Sequence, residues 1–474
     1  MDLILFAPEI VLIFGILALF FIALGTGRDR LAATVATVTG LAALAGTAAT
    51  LGLRGDLFYH AYHIDLFSQL FKLFILLGLT VVALFGRRLK DIRDDIRPEY
   101  FLFLLIAGLG LVMLVSCIEL ISLFISLELS SFAVYLLIPL RRERAGLRMQ
   151  MESAAKYVIF GVIATGIMLF GMSYLFGMTG STYFTEIAPA LVARWAEPMA
   201  VAAIVLTLLG LFFKLAAFPM HLWAPDVYQG AANETTAFIT GVPKVAAVAV
   251  IIRFLLAADS SGQELILFLT IIAIVSMSLG NLVAIVQKDI KRMFGYSTIA
   301  HAGYMTVGFV TLQDAGFSAS VFYALSFLVM SLPVFLVICQ VSTDGENLAI
   351  DDFTGLHERS PLAALIMGLS MFALAGIPPF AGFIGKLLLM TAALDRGLLT
   401  LVVLMAINSA LGIYYYLNIV RVMYFEKAGE RKSVPFDSIS VSLGIFLMFA
   451  VTLLGVAPGY LMESIATAIR GLLL

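Results

Sequence analysis

Residues 210–230 read GLFFKLAAFPMHLWAPDVYQG. Lys214 stands inside an apolar run, Pro219 follows five residues later, and His221, Trp223 and Asp226 come soon after. A lysine at the centre of a membrane helix costs roughly 2.5–3.5 kcal/mol on insertion scales, so a chain keeps one only where its surroundings are polar. Pro219 supplies such surroundings. It removes a backbone donor and frees a carbonyl that hydrocarbon cannot satisfy, so the break must face protein or water. The stretch predicts a broken membrane helix with a lysine at the break.

The rest of the chain fits a membrane setting. Its 474 residues are 62% hydrophobic and only 13% charged, about half the charge of an ordinary soluble domain. Apolar runs of ~20 residues, the length that crosses ~30 Å of hydrocarbon, recur from end to end. About fourteen candidate spans lie near 3–24, 31–53, 64–86, 100–117, 119–139, 153–178, 199–222, 233–257, 263–286, 293–312, 316–341, 361–394, 398–425 and 439–457. The fourth and fifth must be joined by a tight turn, because 100–139 is only about two spans long. The predicted class is an all-α integral membrane protein.

Several functions are disfavoured by what the sequence holds. A net charge of -2 offers no field for nucleic acid. Cys117 and Cys339 sit singly in apolar stretches and read as buried small residues. With no C-x-x-C pair, His/Cys cluster, dinucleotide fingerprint or Walker pattern, neither a metal nor a cofactor is expected in this chain. The opening MDLILFAPEIVLIFGILALFF has no basic n-region or cleavage site and reads as a retained first helix.

Basic residues gather in alternate connections, at 87–97, 141–148, 287–292 and 426–432, while the opposite loops hold little beyond Arg54, Arg194, Arg396 and Arg470. By the positive-inside rule the basic loops are cytoplasmic. An even number of spans then puts both termini on the outer, periplasmic face. The connection 342–359 is acidic, but acidic residues weigh little in that rule. Residues 181–198, with Trp195, read as an interfacial piece.

Charges near span ends, such as Arg253 and Arg421, read as snorkelling to the interface. Lys72, Glu128, Lys156, Lys214, Lys244, His301 and Lys386 need separate accounts. Lys72, ~12 Å into its helix, reads as reaching back toward the interface, and Lys156 lies close enough to a span start for the same. Glu128 is mid-span, and Ser131 and Tyr135 at i+3 and i+7 share its face. Glu119 falls on the opposite face and reads as a helix start, where a carboxylate suits the dipole. Lys214 and Lys244 flank the PMHLWAPDVYQGAANE segment. His301 shares a polar stripe with Ser297, Thr298 and Tyr304. Lys386 lies in MFALAGIPPFAGFIGKLLLM, where Pro378 and Pro379 break a second helix. Broken helices beside ionisable residues are how transporters build ion sites.

These residues carry a resemblance. FKLAAFPMHLWAPDVYQGA followed by VPKVAA, then DIKRMFGYSTIAHAGYM and AGIPPFAGFIGK, resembles the antiporter-like subunit N of the proton-pumping NADH:quinone oxidoreductase, respiratory complex I. It covers nearly the whole chain. The Pro-x-His-x-Trp-x-Pro-Asp core is shared with sister subunits and multisubunit sodium/proton antiporters, and the PDVYQGA continuation is typical of subunit N. The resemblance implies two inverted five-helix repeats with the seventh and twelfth helices broken. It places an N-terminal three-helix segment at 1–99, the repeats at 100–260 and 261–430, and a C-terminal helix at 431–474. It implies that Glu128, Lys214, Lys244 and Lys386 carry proton translocation, with Lys156, His301 and Tyr304 on a secondary path. Quinone and NADH would be bound by other subunits, and the partners would be the complex's membrane subunits and the lipid bilayer.

A mechanism follows as an expectation. Burial makes a lysine give up its proton more readily, and a carboxylate drawn close makes it hold on. Movement of Glu128 relative to Lys214 would load and release a proton, and interior water would connect Lys214, Lys244, His301 and Lys386. Two other readings stand beside this one: a subunit of a sodium/proton antiporter, disfavoured by the single mid-span carboxylate, and a non-pumping scaffold with structural ion pairs.

Overall fold

Hydrocarbon offers backbone groups no partner, so each crossing segment must close its own hydrogen bonds as a helix. The computed structural model describes residues 2–25, 28–143, 148–256, 258 and 262–472. The basic loop expected over 141–148 and the span expected over 233–257 run outside these residues at 144–147 and 257.

The first crossings are α1 (Ala7–Ala23), α2 (Asp29–Ala49) and α3 (Leu66–Phe85), with a two-stranded hairpin, β1 (Gly55–Leu57) and β2 (Tyr62–Ile64), between α2 and α3. Next come α4 (Arg97–Leu114), α5 (Leu120–Leu137) and α6 (Met149–Thr179), then a short surface helix α7 (Phe184–Ala193). The seventh crossing is broken into α8 (Pro198–Leu215) and α9 (Ala224–Gly230), and α10 (Asn233–Leu255) completes this group. The second group is α11 (Gln263–Ala284), α12 (Ile290–Val310), α13 (Asp314–Val341), a short α14 (Leu356–Arg359), the broken pair α15 (Pro361–Ala375) and α16 (Ala381–Asp395), and α17 (Leu399–Phe425). α18 (Ser438–Val456) and α19 (Gly459–Arg470) close the chain.

Among the described residues, twelve helices are long and apolar enough to cross a membrane. Two expected crossings fall outside that set for physical reasons. α12 is a full 21-residue helix that begins with Lys291 and Arg292 and carries a polar stripe, and the 361–394 span is cut in two at its prolines. With both included the crossings number fourteen. Sequence reading overlooked α19, whose twelve residues are amphipathic and too short to cross.

Contacts between helix ends fix their directions. The start of α3 meets the end of α10 through Asp65 and Arg253, and Lys90 after α3 donates to Cys339 O in α13. One end of the bundle is therefore a hairpin face and the other a basic face. α4 to α10 and α11 to α17 each make five crossings with the break in the fourth. Five is odd, so the second set starts from the opposite face and runs inverted.

Both breaks end in the same local geometry. α8 stops at Ala216 in the left-handed region (φ 62°), and Ala217 N–H donates to Phe212 O at 3.0 Å. α15 stops at Gly376 (φ 86°), and Ile377 N–H donates to Phe372 O at 3.0 Å. Each is a Schellman-type closure, usually made with glycine because a Cβ is disfavoured there. α10 and α13 are buried along their membrane-crossing windows, and the two breaks are built around them.

Candidate functional site

Lys214 is in the last turn of α8, where carbonyls lose their helical donors. Trp223 Nε1–H, beyond the break, donates back to Phe213 O at 3.0 Å, and Phe218 N–H is satisfied by Ser276 Oγ at 2.9 Å. Tyr157 stacks on Phe213 and tilts against Trp223. Lys214 is buried, and its Nζ has no hydrogen-bond partner among the described residues. His221 is buried in the break, and its ring stacks on Phe218.

Lys244 extends the site from α10. Its Nζ donates to Tyr228 Oη at 3.0 Å and to Ile239 O at 3.1 Å, and lies 5.8 Å from the Trp223 ring centre. Ile239 O lacks its usual helical partner because residue 243 is proline, which has no N–H. The proline ahead of Lys244 thus creates the acceptor that the lysine uses. Tyr228 Oη donates onward to Thr298 Oγ1 at 3.3 Å, so the row passes from α9 to α12.

On α12, Ser297 Oγ and Tyr416 Oη are 2.5 Å apart, Tyr416 Oη lies 2.9 Å from His301 Nε2, and His301 Nδ1 lies 2.7 Å from Tyr323 Oη. His301 therefore has both ring nitrogens engaged, by phenols from α17 and α13. Tyr304 Oη accepts from Asn281 at 2.9 Å, and its ring faces Lys386 Nζ at 5.1 Å. Lys386 donates to Ala375 O at 2.9 Å, Leu374 O at 3.3 Å and Ser409 Oγ at 3.1 Å. The carbonyls freed where α15 ends hold the lysine of α16.

Lys214, Lys244, His301, Tyr304 and Lys386 are thus brought to one buried band, with Pro219, Pro378 and Pro379 in its two breaks. Glu128 lies apart from that row. It is half-buried on α5, and its Oε1 accepts from Thr165 Oγ1 of α6 at 2.7 Å. Among the described residues no ion pair joins Glu128 to Lys214, although the carboxylate is near enough to act electrostatically on that lysine. Ser131, one turn on from Glu128, donates its Oγ–H to Leu127 O in its own helix. Tyr135 packs edge-on against Tyr157. Lys156 lies at the basic face, 2.7 Å from both Glu152 and Asp226, and Asp226 also pairs with Arg292 at 2.5 Å.

Two snorkelling readings are corrected. Lys72 is fully buried, 2.7 Å from Glu9 Oε1, with Tyr62 Oη donating to the same oxygen at 2.7 Å. Arg253 is buried against Asp65 at 3.2 Å and over the Phe67 ring. Each has a carboxylate from another part of the chain, so neither needs to reach water. Glu119 is the helix start expected, its carboxylate accepting from Ile121 and Ser122 N–H. At the hairpin, burial pushes the Asp56 carboxyl up, but hydrogen bonds from His63 and His60 outweigh that and hold it below its ordinary value.

Sequence reading missed Tyr228, Tyr323, Tyr416, Thr165 and Ser409. All five reach their partners from another segment of the chain, so spacing around the partner carried no sign of them. Tyr228 alone lay within a stretch already singled out.

A fourteen-crossing bundle with two lysine-bearing helix breaks defines an antiporter-like membrane subunit. The family described as NADH:quinone oxidoreductase/Mrp antiporter, TM, matches residues 117–412. The chain is 47% identical to NADH-quinone oxidoreductase subunit N 2 of Opitutus terrae, over 98% of this chain and 97% of the relative. It is 40% identical to the subunit N 2 of Syntrophobacter fumaroxidans over 99% of each. A chain of respiratory complex I from Thermus thermophilus superposes with a TM-score of 0.84 at 29% identity, covering 97% of this chain and all of that one. A chain of the Mrp complex from Dietzia sp. shares the fold at TM-score 0.87 and 21% identity, covering 100% of this chain and 98% of that one. The protein belongs to the subunit N family of NADH-quinone oxidoreductase.

Proposed function

We propose that this chain is a membrane-arm subunit of a proton-pumping NADH:quinone oxidoreductase, and that protons move through the buried band while electrons pass through other subunits. The observation that carries the reading is two buried hydrogen-bonded rows that reach neighbouring residues of α12, Lys244–Tyr228–Thr298 and Ser297–Tyr416–His301–Tyr323. Hydroxyls and an imidazole each donate and accept, so such a row can pass a proton without net movement of atoms. Lys214 and Lys386 stand at the two breaks as the groups that gain and lose charge. Glu128, held by Thr165, acts as the carboxylate that biases Lys214. Lys156 and Asp226 form the edge of the path at the basic face.

The two five-crossing sets support repeats over 100–260 and 261–430, flanked by 1–99 and 431–474. The basic loops support a cytoplasmic basic face, with the hairpin face and both termini on the periplasmic side of a cell inner membrane. Quinone and NADH are assigned to other subunits, and the sister antiporter-like subunits to the flanks of this one. The sodium/proton antiporter reading has the shared family model and a fold likeness at 21% identity behind it, whereas the curated relatives matched at 36–47% identity carry the subunit N name.

The test is the complex isolated in mild detergent, with Glu128→Gln introduced and the enzyme reconstituted in vesicles. NADH oxidation should persist while proton translocation falls. Undiminished pumping by an assembled Glu128→Gln complex would count against the carboxylate's part, and failure of other complex I subunits to co-purify would count against the reading as a whole.

A further inference from the structure

A helix of only two turns cannot hold itself, because it closes too few hydrogen bonds to offset its own nucleation. α9 has seven residues, and it carries Tyr228, whose phenol meets Lys244 Nζ at 3.0 Å and Thr298 Oγ1 at 3.3 Å. Those distances leave little slack, so a shift of about 1 Å in α9 would end both contacts. The place of α9 must therefore be set from outside. At its start, Asp226 is held between Lys156 and Arg292.

Its end is held by a residue that sequence reading counted only as part of a basic loop. Arg141, in the connection after α5, is 7% exposed. Its Nε donates to the carboxylate of Asp91, which is fully buried. A buried pair of this kind is ordinarily structural, but it uses one of the five N–H groups that a guanidinium offers. Nη1 donates to Gln229 O at 2.9 Å and to Gly230 O at 3.3 Å, and Nη2 donates to Gly345 O at 3.3 Å. Gln229 O and Gly230 O are the last carbonyls of α9, which the helix itself cannot serve. Lys291 of α12 closes the next one, its Nζ donating to Ala231 O at 2.7 Å. Two cations at a helix C-terminus also suit its dipole.

We propose that Arg141 is a positioning residue for proton transfer. Its fork fixes the end of α9, and with it the Tyr228 phenol, against Lys244 and Thr298. Lys291 is the second arm of this clamp. Lys291 and Thr298 stand at i and i+7 on one face of α12, so the arm that closes Ala231 O and the hydroxyl that meets Tyr228 belong to one rigid element.

The inference rests on the pumping role proposed above, and the test separates the two. Arg141→Lys keeps the charge beside Asp91, but a compact ammonium cannot span Asp91, the α9 carbonyls and Gly345 O as the planar fork does. A purely structural ion pair survives the change; a clamp does not. In complexes whose subunit content and thermal midpoint match the wild type, protons translocated per NADH oxidised should fall about tenfold. Tyr228→Phe and the variant carrying both changes are measured beside it. An arginine that acts through the phenol adds no further loss once the phenol is gone. Losses that multiply in the double variant overturn that assignment, as does a loss in Arg141→Lys with none in Tyr228→Phe. An unchanged ratio in Arg141→Lys with a loss in Tyr228→Phe overturns the clamp alone, and unchanged ratios in both overturn the path reading beneath it. Should Arg141→Lys fail to assemble, Lys291→Met opens the same end of α9 without touching the Arg141–Asp91 pair, and an unchanged ratio in that variant overturns the clamp.

Discussion

Lys244 Nζ and Tyr228 Oη are 3.0 Å apart, and this contact joins the seventh crossing to the eighth. The same phenol reaches Thr298 on α12, so one side chain links three crossings. Tyr228→Phe removes a single oxygen from a packed site. The complex should assemble, and pumping should fall about tenfold, equivalent to ~1.4 kcal/mol on the barrier. Proton uptake by reconstituted vesicles, set against the rate of NADH oxidation, reads the change. An unaltered ratio would remove Tyr228 from the path.

The ion pair between Glu9 and Lys72 ties α1 to α3 in a fully buried setting. Removing one partner strands the other charge, which costs about 3–5 kcal/mol, whereas replacing both with apolar groups is often nearly neutral. Lys72→Met alone should lower the thermal midpoint of the purified complex, and adding Glu9→Leu should recover much of the loss. Thermal unfolding of the two variants decides it. Equal or additive losses would show that the pair is not an energetic unit.

What was legible in the sequence divides along a physical line. Span lengths, the two breaks and the lysines beside them are local, since hydropathy and proline act on their own segment. Lys214, Lys386 and His301 were therefore found together with the helices that present them. Lys72 and Arg253 were misread because depth within one helix says nothing of a carboxylate arriving from another, here Glu9 and Asp65. The phenols around His301 come from α13 and α17 and are visible only once the bundle is assembled. α19 escaped because a twelve-residue amphipathic helix resembles neither a span nor a loop.

The direction of the chain through the membrane can be read by labelling. Thr343 is exposed in the basic-face connection between α13 and α14, and both native cysteines are buried. A membrane-impermeant thiol reagent should modify Thr343→Cys in inside-out vesicles and leave right-side-out cells unlabelled. Labelling of intact cells would invert the assignment of both faces.

Lys386 sits on the carbonyls of Ala375 and Leu374, where α15 ends, and on Ser409 Oγ. Those carbonyls have lost their helical donors, so a fixed ammonium would serve them as a cap, and a structural role is the reading to beat. The two roles differ in whether the proton must leave. Lys386→Met removes the charge and nearly keeps the length, so both roles predict impairment. Lys386→Arg keeps the charge and the donors, but a guanidinium does not deprotonate at any usable pH. Space is tight, because a Cβ at Gly376 would lie 3.0 Å from Lys386 Cδ, so assembly of the arginine complex is checked by its subunit content. In complexes that assemble, a carrier role predicts loss of pumping in both variants, by about tenfold or more. A capping role predicts that arginine pumps and methionine does not. Full pumping by Lys386→Arg would show that this lysine never needs to give up its proton, and the carrier assignment would fall.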